Sequence, residues 1–333
     1  MKNIAKFLKN KEKMTIISLA MTTYNGERFL QEQLDSFLWQ TRLPDELVVC
    51  DDVSTDRTME MLEKFQDRSP FPVRIFKNEQ NLGFRKNFQK ALSLCHGDLI
   101  AFSDQDDVWL PEKLKEVEEV FRQYPMAGYV FHDALVVDEN GNPRGFSLWD
   151  YYGFTFIKPR LFAPREFTPY CLNRVILGAT ITLSAGLRDH LLPFPDDIAH
   201  DTWVSFAGSL VRPVIALPQK LNRYRQHAKQ LFGASVYYKD RINLARKVGN
   251  ACFTEQARRL KSVLHRLATD SRLKGNERLM EKLMDRIEHL EIRGGIKGPV
   301  LKRIPVIFKE LLRKRYHKHS GGWRSVVRDL FIA

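Results

Sequence analysis

Residues 15–23, Thr-Ile-Ile-Ser-Leu-Ala-Met-Thr-Thr, form an apolar run that ends in small polar residues and predicts a buried strand. Tyr24-Asn25-Gly26 reads as a turn. From Glu27 to Trp39 the apolar positions Phe29, Leu30, Leu34, Phe37 and Leu38 recur at helical spacing. The pattern then repeats. Apolar strands are expected at Glu46–Cys50, Val73–Phe76 and Leu99–Phe102, with helices at Met59–Phe65 and Phe84–Cys95 between them. A further helix is expected from Pro111 to Tyr124, and strands at Gly128–Val137 and Ile176–Ser184. Residues 144–172, rich in aromatics and prolines, read as a long ordered loop able to fold over a substrate. From Val236 onward the pattern is helical, with breaks at Gly294-Gly295 and Gly298-Pro299. Short apolar strands alternating with amphipathic helices predict an α/β protein with a mostly parallel sheet and right-handed crossovers.

Several classes drop out at this point. No GxGxxG follows the first strand, which argues against a dinucleotide-dependent oxidoreductase. No stretch reaches the roughly 18 apolar residues of a membrane span, and residues 1–14 lack the apolar core of a signal peptide. Cys50, Cys95, Cys171 and Cys252 are scattered, which fits buried thiols in a reducing compartment better than a zinc knuckle or a disulfide scaffold.

The chemistry concentrates in acidic runs after strands. Ser103-Asp104-Gln105-Asp106-Asp107-Val108-Trp109 follows the strand Leu99–Phe102. Carboxylates at the end of a buried strand call for compensation, and a divalent cation is the usual strong partner. That position in an open α/β sheet is also where ligands bind, so a metal there points to a phosphate-bearing substrate. Asp51-Asp52 and Asp196-Asp197…Asp201 supply two more acidic clusters. Asp56 reads as a helix cap, and Asp107 is placed to cap the helix that starts near Pro111.

Thr22-Thr23-Tyr24-Asn25-Gly26, Val49-Cys50-Asp51-Asp52-Val53-Ser54-Thr55-Asp56 and the acidic run at 103–109 resemble, in order and spacing, the nucleotide-binding signatures of inverting family 2 glycosyltransferases. Asn81-Leu82-Gly83-Phe84 and Asn87 fall between the second and third. His200-Asp201-Thr202-Trp203 and Tyr224-Arg225-Gln226-His227 resemble motifs of the rhamnosyltransferase-like branch. The resemblance spans residues 14–234 and implies a GT-A fold: a Rossmann-like, mostly parallel sheet flanked by helices. It implies a nucleotide-sugar donor, with dTDP-L-rhamnose preferred and galactose, glucose or N-acetylhexosamine donors as alternatives. By the same carry-over, Asp52 accepts from the pyrimidine N–H, and Thr22 and Tyr24 line the base and ribose pocket. Asp104 lies near the ribose or metal, and Arg225 contacts the diphosphate. Asp106 and His227 bind Mn2+ or Mg2+, Asp201 is the base that deprotonates the acceptor hydroxyl, and His200 and Trp203 contact acceptor or donor. Val53 departs from the family's usual small residue. A branched side chain disfavours positive φ, so a different turn is expected there.

Charge divides the chain. Residues 235–333 carry 24 Lys and Arg against 10 Asp and Glu, whereas residues 1–234 carry 29 against 30. The expected organisation is a basic arm at 1–13, a catalytic domain at 14–234 and a basic helical region at 235–333. The run Lys309–His319 and the following Trp323, Val326, Val327, Leu330, Phe331 and Ile332 suit an in-plane helix on an anionic membrane. The implied setting is cytoplasmic, peripheral on the inner face of the cell membrane, with a cell-surface polysaccharide or lipid-linked glycan as acceptor. A nucleic-acid-binding protein would use the basic region but leaves the acidic clusters unexplained, and the common RNA-module motifs are absent, so no nucleic-acid partner is expected.

Overall fold

The computed structural model describes residues 15–154, 156–166, 176–227, 250–273 and 277–331. They fall in two compact units, Met1–Leu231 and Phe232–Ala333. The expected boundary at 234/235 and the start of the basic helical region lie outside the described residues, as does the arm at 1–13.

The first unit is built on a ten-stranded sheet. Its parallel part is β3 (Val73–Lys77), β2 (Glu46–Asp51), β1 (Ile17–Thr23) and β4 (Leu99–Ser103), in that spatial order. Helices α1 (Leu30–Leu38), α2 (Thr58–Arg68) and α3 (Gly83–Leu94) make the connections. Strands β1, β2 and β4 are buried along their whole length, which is why they read as continuous apolar runs rather than alternating ones. Beyond β4 the sheet becomes mixed. The two-residue β5 (Val108–Trp109) and helix α4 (Lys113–Gln123) precede β6 (Tyr129–Val137). β9 (Ile181–Ser184) lies antiparallel between β4 and β6, and β10 (Val214–Arg225) runs parallel to β6 and antiparallel to β5.

The segment expected as a loop has structure of its own. β7 (Pro143–Ser147) pairs back onto β6, helix α5 (Leu148–Tyr152) follows, and β8 (Arg160–Phe162) adds to β10. A capping box explains α5: Ser147 accepts from the Asp150 amide while the Asp150 carboxylate accepts from the Ser147 amide. Helices α6 (Ala185–Leu191) and α7 (His200–Val211) complete this unit.

The second unit is helical: α8 (Ala251–Thr269), α9 (Glu277–Gly295), α10 (Val300–Leu312), α11 (Arg315–His319) and α12 (Trp323–Phe331). α9 ends at Gly295 and α10 starts after Pro299, as the glycine and proline pattern predicts. Its apolar cluster around α10 to α12 is small, with Ile296, Ile307, Tyr316 and Val326 buried. Buried ion pairs lie beside it, while α8 and α9 bury Phe253, Leu260, Val263, Leu267, Leu283, Ile287 and Leu290. Arg293 holds Asp329 through two bonds of 2.6 and 2.9 Å, Tyr316 donates to Asp329 at 2.8 Å, and His289 pairs with Glu310 at 2.7 Å.

Candidate active site

The C-terminal ends of β1, β2 and β4 deliver the polar residues of the first unit to one edge of the sheet. At β1, Thr22 is nearly buried and Thr23 donates to Asp51 at 2.9 Å. The turn beyond puts the Tyr24 ring at the surface, 51% exposed, which excludes a core role for it. Its backbone is held from the acidic run: the Tyr24 amide donates to Gln105 Oε1 at 2.8 Å, and Gln105 Nε2 donates back to the Tyr24 carbonyl at 3.0 Å. A Cβ at Gly26 would sit 2.4 Å from Gln105 Oε1, so a larger residue there would displace this amide.

At β2, the buried Asp52 organises the turn that follows β3. Its Oδ1 accepts from Asn78 Nδ2 at 2.8 Å and the Leu82 amide at 2.7 Å, and its Oδ2 from the Gly83 amide at 2.9 Å. Gly83 has φ of +75°, a conformation suited to glycine. Val53 corrects the expectation of a different turn. It adopts φ of +67° despite its branched side chain, while Ser54 is tied to Asp51 through a 2.8 Å bond from its amide.

The acidic run departs from the expected arrangement in one respect. Asp107 does not cap a helix: the residue preceding α4 is Glu112, without a side-chain cap bond. Asp107 is buried, accepts the Arg225 amide on Oδ1 at 3.1 Å, and has no partner for Oδ2. Asp106 Oδ2 lies 2.9 Å from His227 Nε2, so the two expected metal ligands are brought together. Asp104 is half-buried, and desolvation followed by the charges of Asp106 and Asp201 pushes its carboxyl up to about 8. Asp201, in the first turn of α7, accepts from the Thr202 amide at 2.6 Å. Its charge is one of those that raise the Asp104 carboxyl.

Beneath this loop lies Lys113, which the sequence pattern hid as one cation of an ordinary helix face. It is fully buried, donates to the Ala179 carbonyl at 2.8 Å and Asn222 Oδ1 at 3.0 Å, and sits 3.6 Å from the Trp109 ring centroid. Burial pulls its ammonium well below the usual range, against the opposing pull of Asp107 and Asp104. Burial likewise drives Asp107 well above the usual carboxylate range, with Asp106 and Asp104 adding to the shift. Acids crowded together and forced toward protonation are the electrostatic signature of a site that gains from an added cation. Among the described residues no group of three His, Cys, Asp or Glu is drawn together as a ready cage. The Asp106–His227 pair, with Asp104 beside it and an unpartnered Asp107 oxygen, fits a divalent ion completed by oxygens from a bound ligand.

Three residues expected to touch substrate are buried and engaged with the protein itself. Arg225 is buried and committed to protein: Nε donates to the Asp106 carbonyl at 2.9 Å, one terminal nitrogen to the Glu139 carbonyl at 2.9 Å, and the other to Glu32 at 2.8 Å. These bonds make it a clamp on the acidic loop. His200 is buried against Phe88, stacked at 4.0 Å, with Phe84 and Phe102 at its edges, and neither ring nitrogen has a partner. Trp203 is buried and donates to the Leu191 carbonyl at 3.0 Å. Both anchor α7 in the core, because apolar neighbours on the sheet face claim that side of the helix.

Residues 18–177 match the sequence family described as glycosyl transferase family 2. They form a family 2 glycosyltransferase domain. The glycosyltransferase domain is similar to an uncharacterised glycosyltransferase of Nostoc sp., at 34% identity over 37% of this chain and 38% of the relative. A dTDP-rhamnosyl transferase, RfbG of Shigella flexneri, is 39% identical over 28% of this chain and 34% of the relative. EpsE of Bacillus subtilis is 31% identical over 49% and 56% respectively. The chain thus spans little more than half, at most, of these relatives' length. The structure of S. aureus TarS 1–349 in complex with UDP-GlcNAc superposes with a TM-score of 0.55, at 20% identity over 93% of this chain and 90% of that one. That likeness carries the GT-A fold of the glycosyltransferase domain.

Proposed function

We propose that this protein is an inverting glycosyltransferase that moves a sugar from a nucleoside diphosphate donor to a hydroxyl of a glycan acceptor. The observation that carries this reading is the Asp106–His227 pair, 2.9 Å apart at the edge of a GT-A sheet, beside Asp104, whose carboxyl is pushed up to about 8 by burial first and then by the charges of Asp106 and Asp201. In the reaction, the acceptor oxygen attacks the anomeric carbon from the side opposite the diphosphate. A carbon–oxygen bond forms as the bond to the diphosphate breaks, and the nucleoside diphosphate leaves with the electron pair. Asp201 takes the acceptor proton. Asp106 and His227, with Asp104 alongside, would hold Mn2+ or Mg2+, which offsets the charge building on the departing diphosphate. Thr22, Tyr24 and Asp52 frame the base and ribose. Asp52 Oδ2 accepts one bond from the protein, so a lone pair is available to a base N–H.

The similarity to RfbG supports dTDP-L-rhamnose as donor. The UDP-GlcNAc bound to TarS makes an N-acetylhexosamine donor the second to test, with galactose and glucose after it. A cell-surface polysaccharide or lipid-linked glycan is the proposed acceptor. Docking of the basic C-terminal unit on an anionic membrane surface, at the inner face of the cell membrane, would bring the enzyme to it. No helix among the described residues is long and apolar enough to cross a membrane.

A panel of nucleotide sugars, assayed with and without Mn2+, tests the proposal. One donor should turn over. Replacing the base by Asp201→Asn should cost about a hundredfold or more in rate, the range of general-base contributions, and Asp106→Ala should abolish the metal response. Wild-type transfer by both variants would refute the mechanism.

A further inference from the structure

The C-terminal unit distributes polarity in an unusual way. Residues 296–331 contain ten Lys and Arg and only two acids, Glu310 and Asp329. Both acids are fully buried and paired, Glu310 with His289 and Arg315, Asp329 with Arg293 and Tyr316. The solvent-facing surface of this segment therefore carries no carboxylate of its own. It does carry large apolar side chains. On α10, Leu301 (80%), Ile304 (45%), Phe308 (58%) and Leu312 (69%) are exposed at positions that align on one helix face. On α12, Trp323 (65%), Val327 (54%) and Phe331 (70%) repeat the arrangement at intervals of four.

Helical geometry places cations along one flank of each stripe: Lys302 and Lys309 on α10, Arg324 on α12. The faces used for packing are different ones, since Ile307 and Val326 fill the small cluster between the helices. Arg303 fixes the pair by donating from α10 to the Leu330 carbonyl of α12 at 3.0 Å. Around α10 to α12 the interior thus combines buried ion pairs with a small apolar cluster, while Leu301, Phe308, Leu312, Trp323 and Phe331 face outward. An aqueous surface gives no reason for that exposure.

We propose that the outward faces of α10 and α12 lie in the headgroup layer of an anionic bilayer, their apolar stripes below the phosphates and their flanking cations level with them. This rests on the membrane-docking reading of the C-terminal unit, not on the choice of donor sugar. Charge selects the occupant. A second copy would present the same cationic rim and repel. An in-plane amphipathic helix with Lys and Arg beside Trp, Phe and Leu is the arrangement that partitions to anionic interfaces.

Full-length protein should co-sediment with phosphatidylcholine vesicles that contain phosphatidylglycerol and only weakly with phosphatidylcholine alone. Trp323 emission should shift to the blue on binding. The double variant F308S/L312S, altered only at exposed positions and checked for an unchanged circular-dichroism melt, should partition roughly tenfold less or weaker still, given the apolar area withdrawn. K302E/K309E should lose the preference for phosphatidylglycerol. If wild type ignores anionic vesicles, the membrane reading itself fails. If wild type binds but F308S/L312S binds equally, docking is by diffuse charge and these faces are not the contact. A wild-type dimer made monomeric by F308S/L312S, or nucleic-acid binding that survives it, would also overturn the assignment.

Discussion

His200 offers a direct test of how the core beside the acidic loop is built. The ring is enclosed by Phe84, Phe88 and Phe102 without a hydrogen-bond partner, and burial, opposed by Asp201, pushes its imidazole from 6.5 down to about 4. A folded value below the unfolded one means that the unfolded chain takes up the proton first as pH falls. Stability from this residue is complete above the unfolded value of about 6.5 and drains away toward about 4. Linkage puts the loss at about 2 kcal/mol by about pH 5 and about 3 kcal/mol by about pH 4. His200→Leu keeps a side chain of similar bulk and removes the titration. Four of the five tryptophans, Trp39, Trp109, Trp149 and Trp203, lie in the first unit, so urea unfolding followed by fluorescence reports on it. Between about pH 7.5 and about pH 5, wild type should lose about 2 kcal/mol more than the variant. His132, also buried with a lowered value, is present in both proteins and cancels in the difference. Equal pH dependence of the two proteins would show that the ring is hydrated or partnered, and the core assignment of α7 would fall with it.

Three further outcomes are expected. Val53→Gly relieves a branched residue at φ of +67° and should raise stability by about 1 kcal/mol, after the entropy of the added glycine is counted, read as a higher urea midpoint. Asp329→Ala leaves Arg293 buried and unpaired and should cost about 3–5 kcal/mol; hydrogen exchange should localise that loss to the helical unit. Arg225→Lys removes the clamp rather than a phosphate contact, so affinity for the nucleoside monophosphate and diphosphate should fall by the same factor in calorimetry; a selective loss for the diphosphate would restore the ligand role.

The parallel half of the sheet was legible because β1, β2 and β4 are buried on both faces and therefore stand out as unbroken apolar runs. The acidic loop was legible because three carboxylates after such a run have few ordinary explanations. What escaped depends on contacts far apart in the chain. Arg225 reaches Asp106, Glu139 and Glu32 across separations of 119, 86 and 193 residues, and no local pattern distinguishes a clamp of that kind from a surface arginine. Lys113 looks like part of a solvated helix face until Asn222 and the Ala179 carbonyl are folded around it. β10 was missed because Pro218, Gln219 and Lys220 interrupt its apolar alternation. Val53 shows tertiary bonding at Asp51 and Ser54 overriding a local preference.

That interruption in β10 governs more than strand recognition. From Leu217 to Asn222 the strand advances five positions while its partner β6 advances two, from His132 to Ala134. Three surplus residues are absorbed in irregular turns of the ladder, and an odd surplus inverts which side of the sheet every later residue faces. Arg225, and His227 two places on, sit toward the acidic loop only because that count is odd. A single-residue deletion between Pro218 and Leu221 would touch no group that meets a ligand, yet it would rotate His227 away from Asp106. The spacing of this stretch is therefore under the same constraint as the reacting residues, and length variation here should be as damaging as their replacement.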